Sequence, residues 1–208
     1  MKEAQAAARL VHPNIVQAID AGEDKGFYYF AMEFVDGYNL KQALSKYGRL
    51  SEQLVLKIAR SVTEGLAAAA AEGFVHGDIK PANLMLTKGG EVKIADFGLA
   101  RPLSSKLPAG GTPHYMAPEA ITGESPVDIR SDLYSLGATM FHLLTGKTPF
   151  EGETVRDILK AAVKNPVPDP RSICPELSAK TAEIVLTLMA KDPSSRPQSP
   201  QALLDLLD

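Results

Sequence analysis

A chain of 208 residues that is 45% hydrophobic and 23% charged has apolar material for one sizeable core or two lobes, which excludes a disordered, collagen-like or fibrous protein. With 22 Lys and Arg against 25 Asp and Glu the formal charge is only -3, and the basic residues are scattered, so no large cationic face is offered to nucleic acid. The single cysteine, Cys174, sits in a Pro-flanked connection; it excludes an internal disulfide framework and suits a reducing compartment, where it reads as an inert loop thiol.

Along the chain, residues 27–35 (FYYFAMEFV) form an aromatic and β-branched run bounded by Gly26 and by Asp36-Gly37, which predicts a strand entering a turn. A partner strand is expected after Val16, and helices dominate from there on. Leu54, Ile58, Val62, Leu66 and Ala69 recur at helical spacing within residues 51–73, and Gly73 supplies a C-terminal stop. Residues 83–87 and 92–95 are short apolar runs joined by Lys88-Gly89-Gly90-Glu91, a turn suited to a hairpin.

After a loop rich in Pro, Gly and Ser, the residues Leu133, Leu136, Gly137, Met140, Phe141 and Leu144 predict a buried helix ending at Gly146. Further helices are expected at 154–163, at 178–190 and from Ser199, where Ser199-Pro200 makes a cap and first-turn pair. The longest low-polarity stretch, residues 65–71, is alanine-rich and too short to span a bilayer, and residues 1–3 open nothing resembling a signal peptide. The expectation is a cytoplasmic chain without a membrane segment. His12, His76, His114 and His142 fall in no pattern such as H-E-x-x-H, so no zinc site is expected.

The densest chemical signal is His76-Gly77-Asp78-Ile79-Lys80-Pro81-Ala82-Asn83, followed after the hairpin by Asp96-Phe97-Gly98. Phosphoryl transfer asks for few groups: one to orient the attacking hydroxyl, cations to absorb phosphate charge, and oxygen ligands for magnesium. Asp78 can accept or orient the hydroxyl proton, Lys80 can neutralise the transferring group, and Asn83 with Asp96 can hold magnesium. Asp-Phe-Gly alone is also an ordinary strand end with a glycine turn; it is the combination that points to this chemistry.

These residues resemble the catalytic loop and D-F-G motif of the protein kinase family, from which the roles just given are taken. Ala117-Pro118-Glu119 resembles the end of that family's activation segment, and residues 111–116 (GTPHYM) its substrate-docking loop. Residues 132–137 (DLYSLG) resemble the start of its central helix, whose aspartate anchors the catalytic-loop backbone. Arg196-Pro197 looks like the late arginine that pairs with Glu119, which implies a largely buried ion pair. His12-Pro13-Asn14-Ile15-Val16 resembles the turn after the family's regulatory helix, and it puts Glu3 where the lysine-pairing glutamate belongs. Residues 32–35 (MEFV) look like the gatekeeper and hinge, so that backbone groups at Glu33 and Val35 would bind adenine with Met85 beneath the ring. Without the resemblance, Met32 and Met85 read equally well as core methionines.

The resemblance thus implies an α+β, protein-kinase-like fold with residues 1–35 as a partial N-lobe (regulatory helix, two strands, hinge) and 36–208 as a mainly helical C-lobe. It implies ATP and Mg2+ as cofactors, Asp78, Lys80, Asn83 and Asp96 as catalytic residues, and Asn83 and Asp96 as the magnesium ligands. The implied partner is a protein substrate bearing Ser or Thr, because Lys80 and Gly111-Thr112-Pro113 resemble serine/threonine kinases, of the bacterial eukaryotic-like type.

Two departures stand out. No G-x-G-x-x-G and no V-A-I-K-like strand precede Glu3, and Lys2 cannot take over because adjacent helical residues face different ways, so a fragment with little activity of its own is expected. Gly77 stands where many family members have arginine, which leaves Ser104 and Ser105 reading as a solvated loop rather than a regulatory phosphosite. The competing expectations are a non-catalytic scaffold with the same fold and a small-molecule kinase; the latter is not expected to carry Thr112, Ala117-Pro118-Glu119 and Arg196 in these places.

Overall fold

The structure, a computed structural model, describes residues 10–97, 101–102 and 111–208. Strands β1 (Ala18–Asp24) and β2 (Phe27–Met32) form an antiparallel hairpin, closed by Lys25 and Gly26 with both φ angles positive. Two successive positive φ values give a turn whose twist matches that of the flanking strands. The strand expected over 27–35 therefore stops at Met32, and residues 33–35 form an irregular connection. Phe27 and Tyr28 stand exposed on this hairpin and Phe34 is 90% exposed beyond it.

The chain returns through β3 (Gly37–Asn39), which pairs antiparallel with β5 (Leu84–Thr87), itself paired with β6 (Val92–Ile94). A side chain at Gly37 would meet the Leu86 carbonyl oxygen at 2.1 Å, so only glycine lets the chain lie this close on β5. The hairpin is tied to this sheet through residues 14–17: Val16 N–H donates to Ile94 O (2.9 Å) and Ile94 N–H donates to Asn14 O (2.8 Å).

Helices make up the rest: α1 (Leu40–Tyr47), α2 (Glu52–Ala71), α3 (Pro118–Thr122), α4 (Ile129–Thr145), α5 (Val155–Lys164), α6 (Ala179–Leu188) and α7 (Pro200–Leu207). Two short strands, β4 (Phe74–Val75) and β7 (Arg101–Pro102), pair beside them. The expected α+β architecture is present, and α4 is its axis. Every residue of α4 except Ile129, Arg130 and His142 is buried, and α2 and α6 pack against it. The buried stripe of α2 runs through Val55, Ile58, Ala59, Val62, Leu66 and Ala69, whereas Leu54, expected inside, is only half-buried.

Caps set the helix starts much as expected. The Ser199 hydroxyl accepts from Ala202 N–H (3.2 Å) ahead of Pro200, and Thr154 forms a reciprocal capping box with Asp157. Cys174 is more than a loop thiol: it is buried, its Sγ accepts from Arg49 (3.0 Å), and it faces Leu144 O. No helix among the described residues is long and apolar enough to cross a membrane.

One late lysine makes an unusual tie. Lys191 Nζ donates to Ala162 O in the last turns of α5 and lies 4.1 Å from the Phe150 ring centroid. Burial, and then the nearby Arg196, push its ammonium down to about 8. In the unfolded chain the group keeps its ordinary lysine value, so between about pH 8 and 10.5 the unfolded chain holds more protons than the folded one and stability rises with pH. Urea midpoints of the wild type should therefore climb relative to Lys191→Met across that window and run parallel to it between pH 6 and 7.5; parallel curves throughout would refute the shift.

Candidate active site

The loop between β4 and β5 is built from the inside outwards. Asp132, fully buried in the first turns of α4, accepts from His76 N–H (2.7 Å) and Gly77 N–H (2.7 Å). Burial pushes this carboxyl up, opposed by those two amides, and the N-terminal end of α4 adds a favourable dipole for the anion. The anchoring role expected of Asp132 is thus what its geometry shows. Accepting both amides bends the backbone through Gly77, whose φ is +77°, and a side chain there would meet nothing within 4 Å. The positive φ favours glycine here, while the surrounding space would admit a side chain.

His76 has a second task that its sequence position did not reveal. Its Nδ1 accepts from Asp78 N–H (3.2 Å), which leaves Nε2 to donate to Ala95 O (2.9 Å). Its ring also meets Phe97 edge-on at 4.7 Å. The imidazole therefore braces the loop against the residues on either side of Asp96. Ile79, fully buried, pins the middle of the loop into the core, close to α4.

On this frame Asp78, Lys80 and Asn83 converge. Lys80 Nζ donates to Asp78 Oδ2, Asn83 Nδ2 donates to Asp78 O (2.9 Å), and a second, longer bond runs from Asn83 Nδ2 to Asp78 Oδ2 (3.2 Å). Thr112, expected in a docking loop and as a mark of serine/threonine kinases, belongs to the same cluster. Its N–H and its hydroxyl donate to Asp78 Oδ1 (3.1 and 3.2 Å), and its hydroxyl accepts from Lys80 Nζ (2.8 Å). Donors thus face both Asp78 oxygens. This fixes the carboxylate's orientation and ties the segment before Ala117 to the loop.

Asp96 stands next to this cluster because Ala95 N–H donates to Asn83 O (2.8 Å). Its φ of +64° is left-handed, a conformation uncommon outside glycine and one that Asp tolerates better than most residues. Its side chain is exposed and has no hydrogen-bond partner among the described residues. Asn83 uses its amide nitrogen on Asp78, so its Oδ1 remains as an acceptor. An amide oxygen and a carboxylate are both hard donors, the type magnesium takes while it keeps most of its shell as water and phosphate oxygens. Among the described residues no group of three or more His, Cys, Asp or Glu could hold a metal, so a softer, all-protein site is not present there.

At the other end, Glu33 and Val35 lie in the connection after β2, and Met85 is half-buried on β5, facing away from Leu84 and Leu86. Among the described residues Val35 has no backbone hydrogen bond, while Glu33 N–H donates to Gln17 O (2.9 Å). Glu3, Ser104, Ser105 and Gly98 lie outside the described residues.

The segment that follows Thr112 is locked by a buried ion pair. Arg196 holds Glu119 through two bonds, 2.7 Å to Oε1 and 2.8 Å to Oε2, and both side chains are almost wholly withdrawn from water. Ser131 Oγ adds a bond to Oε1 (2.6 Å), Arg196 donates to Ala190 O, Arg130 O and Lys191 O, and its guanidinium lies 4.9 Å from the Tyr134 ring centroid. Burial pushes the Glu119 carboxyl up, but the bonds from Arg196 and Ser131 outweigh it and hold the group below the usual glutamate value.

Comparison with known proteins agrees with this geometry. The profile of the family described as "Protein kinase domain" matches residues 1–206. The serine/threonine-protein kinase PrkC of Bacillus subtilis is 36% identical over 200 residues, covering 94% of this chain and 31% of its own length. A probable serine/threonine-protein kinase of Streptomyces coelicolor is 38% identical over 209 residues (95% and 31%), and the serine/threonine-protein kinase PknB of Mycolicibacterium smegmatis 37% over 213 residues (95% and 33%). The chain spans about a third of the length of these relatives.

Proposed function

The chain belongs to the protein kinase family, and from that premise we propose that it transfers the γ-phosphoryl group of ATP to a serine or threonine hydroxyl of a protein substrate. The observation that carries this reading is the convergence of Lys80, Asn83 and Thr112 on the Asp78 carboxylate, with Asp96 held beside them by the Ala95 to Asn83 hydrogen bond.

In the transfer, the substrate oxygen bonds to the γ-phosphorus while that atom's bond to the β–γ bridging oxygen breaks. ADP leaves with the electron pair, and the hydroxyl proton passes to Asp78. Because donors already fix both of its oxygens, Asp78 acts mainly by orienting the hydroxyl. Lys80, bonded to Asp78 and Thr112, would meet charge on the phosphoryl group. Asn83 and Asp96 would hold magnesium, whose positive charge neutralises the phosphates when it is bound.

In this reading residues 33–35 are the hinge between an N-lobe portion, 1–35, and a helical C-lobe, 36–208. The backbone of Glu33 and Val35 takes the adenine, with Met85 under the ring. ATP as donor and the single cysteine, Cys174, free and buried, favour the cytoplasm. The scattered charges favour a protein rather than a nucleic-acid partner.

Magnesium-dependent nucleotide binding tests the proposal. At 100-fold over Kd, ATP with magnesium should raise the melting temperature by on the order of 5–10 °C for a chain of this size. Asp96→Ala should remove most of the magnesium dependence. A melting temperature indifferent to nucleotide would favour the scaffold, and an unchanged magnesium titration in Asp96→Ala would take that residue out of the site.

A further inference from the structure

Lys93 is the middle residue of β6. Its neighbours Val92 and Ile94 are buried in the core, so strand alternation turns Lys93 to the opposite face. On that face it meets Met85, its direct partner in the antiparallel register. Its ammonium is paired there: Lys93 Nζ donates to Glu33 Oε1 at 2.8 Å, with side-chain exposures of 16% for the lysine and 31% for the glutamate. The same carboxylate oxygen accepts from Gln17 N–H (2.9 Å), while Glu33 N–H returns a bond to Gln17 O (2.9 Å).

One carboxylate oxygen therefore joins three segments: the approach to β1, the start of the connection after β2, and β6. We infer that Glu33 and Lys93 form a clamp that positions the adenine-binding backbone of residues 33–35 over Met85 and relative to Asp96, making both of them positioning residues for ATP. This inference rests on the phosphotransfer reading above. It assigns to the Glu33 side chain a task separate from that of its backbone, and it gives Lys93 a role that neither its position nor its charge suggested.

The physical case has two parts. The pair is half-buried and shares its oxygen with the Gln17 amide, so it is held more firmly than an open surface bridge. Burial pushes the Glu33 carboxyl up, yet the bonds from Lys93 and Gln17 outweigh this and keep it below the usual glutamate value, so Glu33 is a carboxylate at neutral pH. The second part is geometric. The connection at 33–35 has no ladder of its own, so its position depends on where Glu33 is fixed. Lys93 lies three residues before Asp96, so the adenine end and the phosphate end of the site share one reference. Ordering a backbone acceptor before the ligand arrives lowers the entropy cost of binding.

The experiment compares the wild type with Glu33→Ala, Glu33→Gln, Lys93→Ala and the double alanine variant, reading three quantities: ATP affinity, the split between KM for ATP and kcat, and amide hydrogen exchange at residues 33–36. Glu33→Ala should raise Kd and KM for ATP roughly five- to tenfold with kcat within about twofold, and the double variant should be no worse than either single one. Glu33→Gln keeps an oxygen for Gln17 and Lys93 and should recover most of the affinity. Exchange at 33–36 should quicken in both single alanine variants.

Unchanged KM and exchange, a loss confined to kcat, or simple additivity in the double variant would each overturn the clamp. A wild type that binds no ATP would sink the phosphotransfer reading and the nucleotide role with it. The exchange rates would then still decide whether the pair orders the connection, and unchanged rates would overturn that as well.

Discussion

Asp78→Asn should reduce phosphate transfer by about 10²–10⁴-fold or more while leaving ATP affinity nearly unchanged. Shape hardly changes in this substitution, so the effect must come from charge and hydrogen-bond polarity. Asp78 accepts from Lys80 and Asn83 on one oxygen and from the amide and hydroxyl of Thr112 on the other. An asparagine offers one acceptor oxygen and one NH2 group, so whichever way it turns, its NH2 faces existing donors. Either Lys80 or Thr112 loses its partner, and the hydroxyl loses an anionic acceptor. The backbone proposed to take the adenine and the oxygens proposed to hold magnesium, on Asn83 and Asp96, are other groups, which is why nucleotide affinity should persist. A phosphate-transfer assay on a generic protein substrate, run beside a nucleotide titration, checks both halves; near wild-type turnover would remove Asp78 from its role.

The elements that sequence patterning conveyed best were those whose signal is local. The α4 stripe and its stop at Gly146, the Lys88-Gly89-Gly90-Glu91 hairpin and the Ser199-Pro200 start all depend on residues within a few positions of one another. Where the pattern misled, a neighbour decided. Periodicity marked one face of α4, but α2, α6 and the loop between β4 and β5 surround it, so nearly all of it is buried. The hairpin turn at Lys25-Gly26 places a lysine at positive φ, a choice that turn propensities do not favour. The strand expected over 27–35 ends at Met32, where pairing with β1 ends, although Phe34 and Val35 continue the aromatic and β-branched composition beyond Glu33.

The candidate site was legible to the extent that its parts are a motif. Asp78, Lys80 and Asn83 lie within six residues and meet in space, and Asp96 is joined to them by a backbone bond across the β5–β6 hairpin. Thr112 and Lys93 are different cases. Thr112 reaches Asp78 across 34 residues, and Lys93 reaches Glu33 across 60. Period and propensity carry no information about such pairings, which arise only when the sheet registers are set. His76 was visible as part of the motif, but its bond to Ala95 and its contact with Phe97 required the hairpin to bring those residues back.

The ion pair of Glu119 and Arg196 should be the costliest single contact to break outside the catalytic cluster. Arg196→Ala would strand a buried carboxylate whose remaining side-chain donor is Ser131, at a cost of about 3–5 kcal/mol against a total stability of about 5–15 kcal/mol. Replacing both partners, as Arg196→Met with Glu119→Leu, should cost much less, because no charge is left uncompensated. The two cases separate further with pH. In the wild type Glu119 is held below its unfolded value, so its contribution is complete above the ordinary glutamate value of 4.5 and is lost as pH falls through the lower folded value. In Arg196→Ala the same burial acts with little opposition and raises the folded value. Protonation then relieves the variant, and its stability relative to the wild type should rise as pH drops from 7 towards 4.5, where the wild-type Glu119 contribution is flat. Urea midpoints of the two proteins should therefore converge on acidification; a gap that stays constant from pH 7 to pH 4.5 would mean that Arg196 stabilises through packing on Tyr134 and its carbonyl bonds, with the Glu119 charge contributing little.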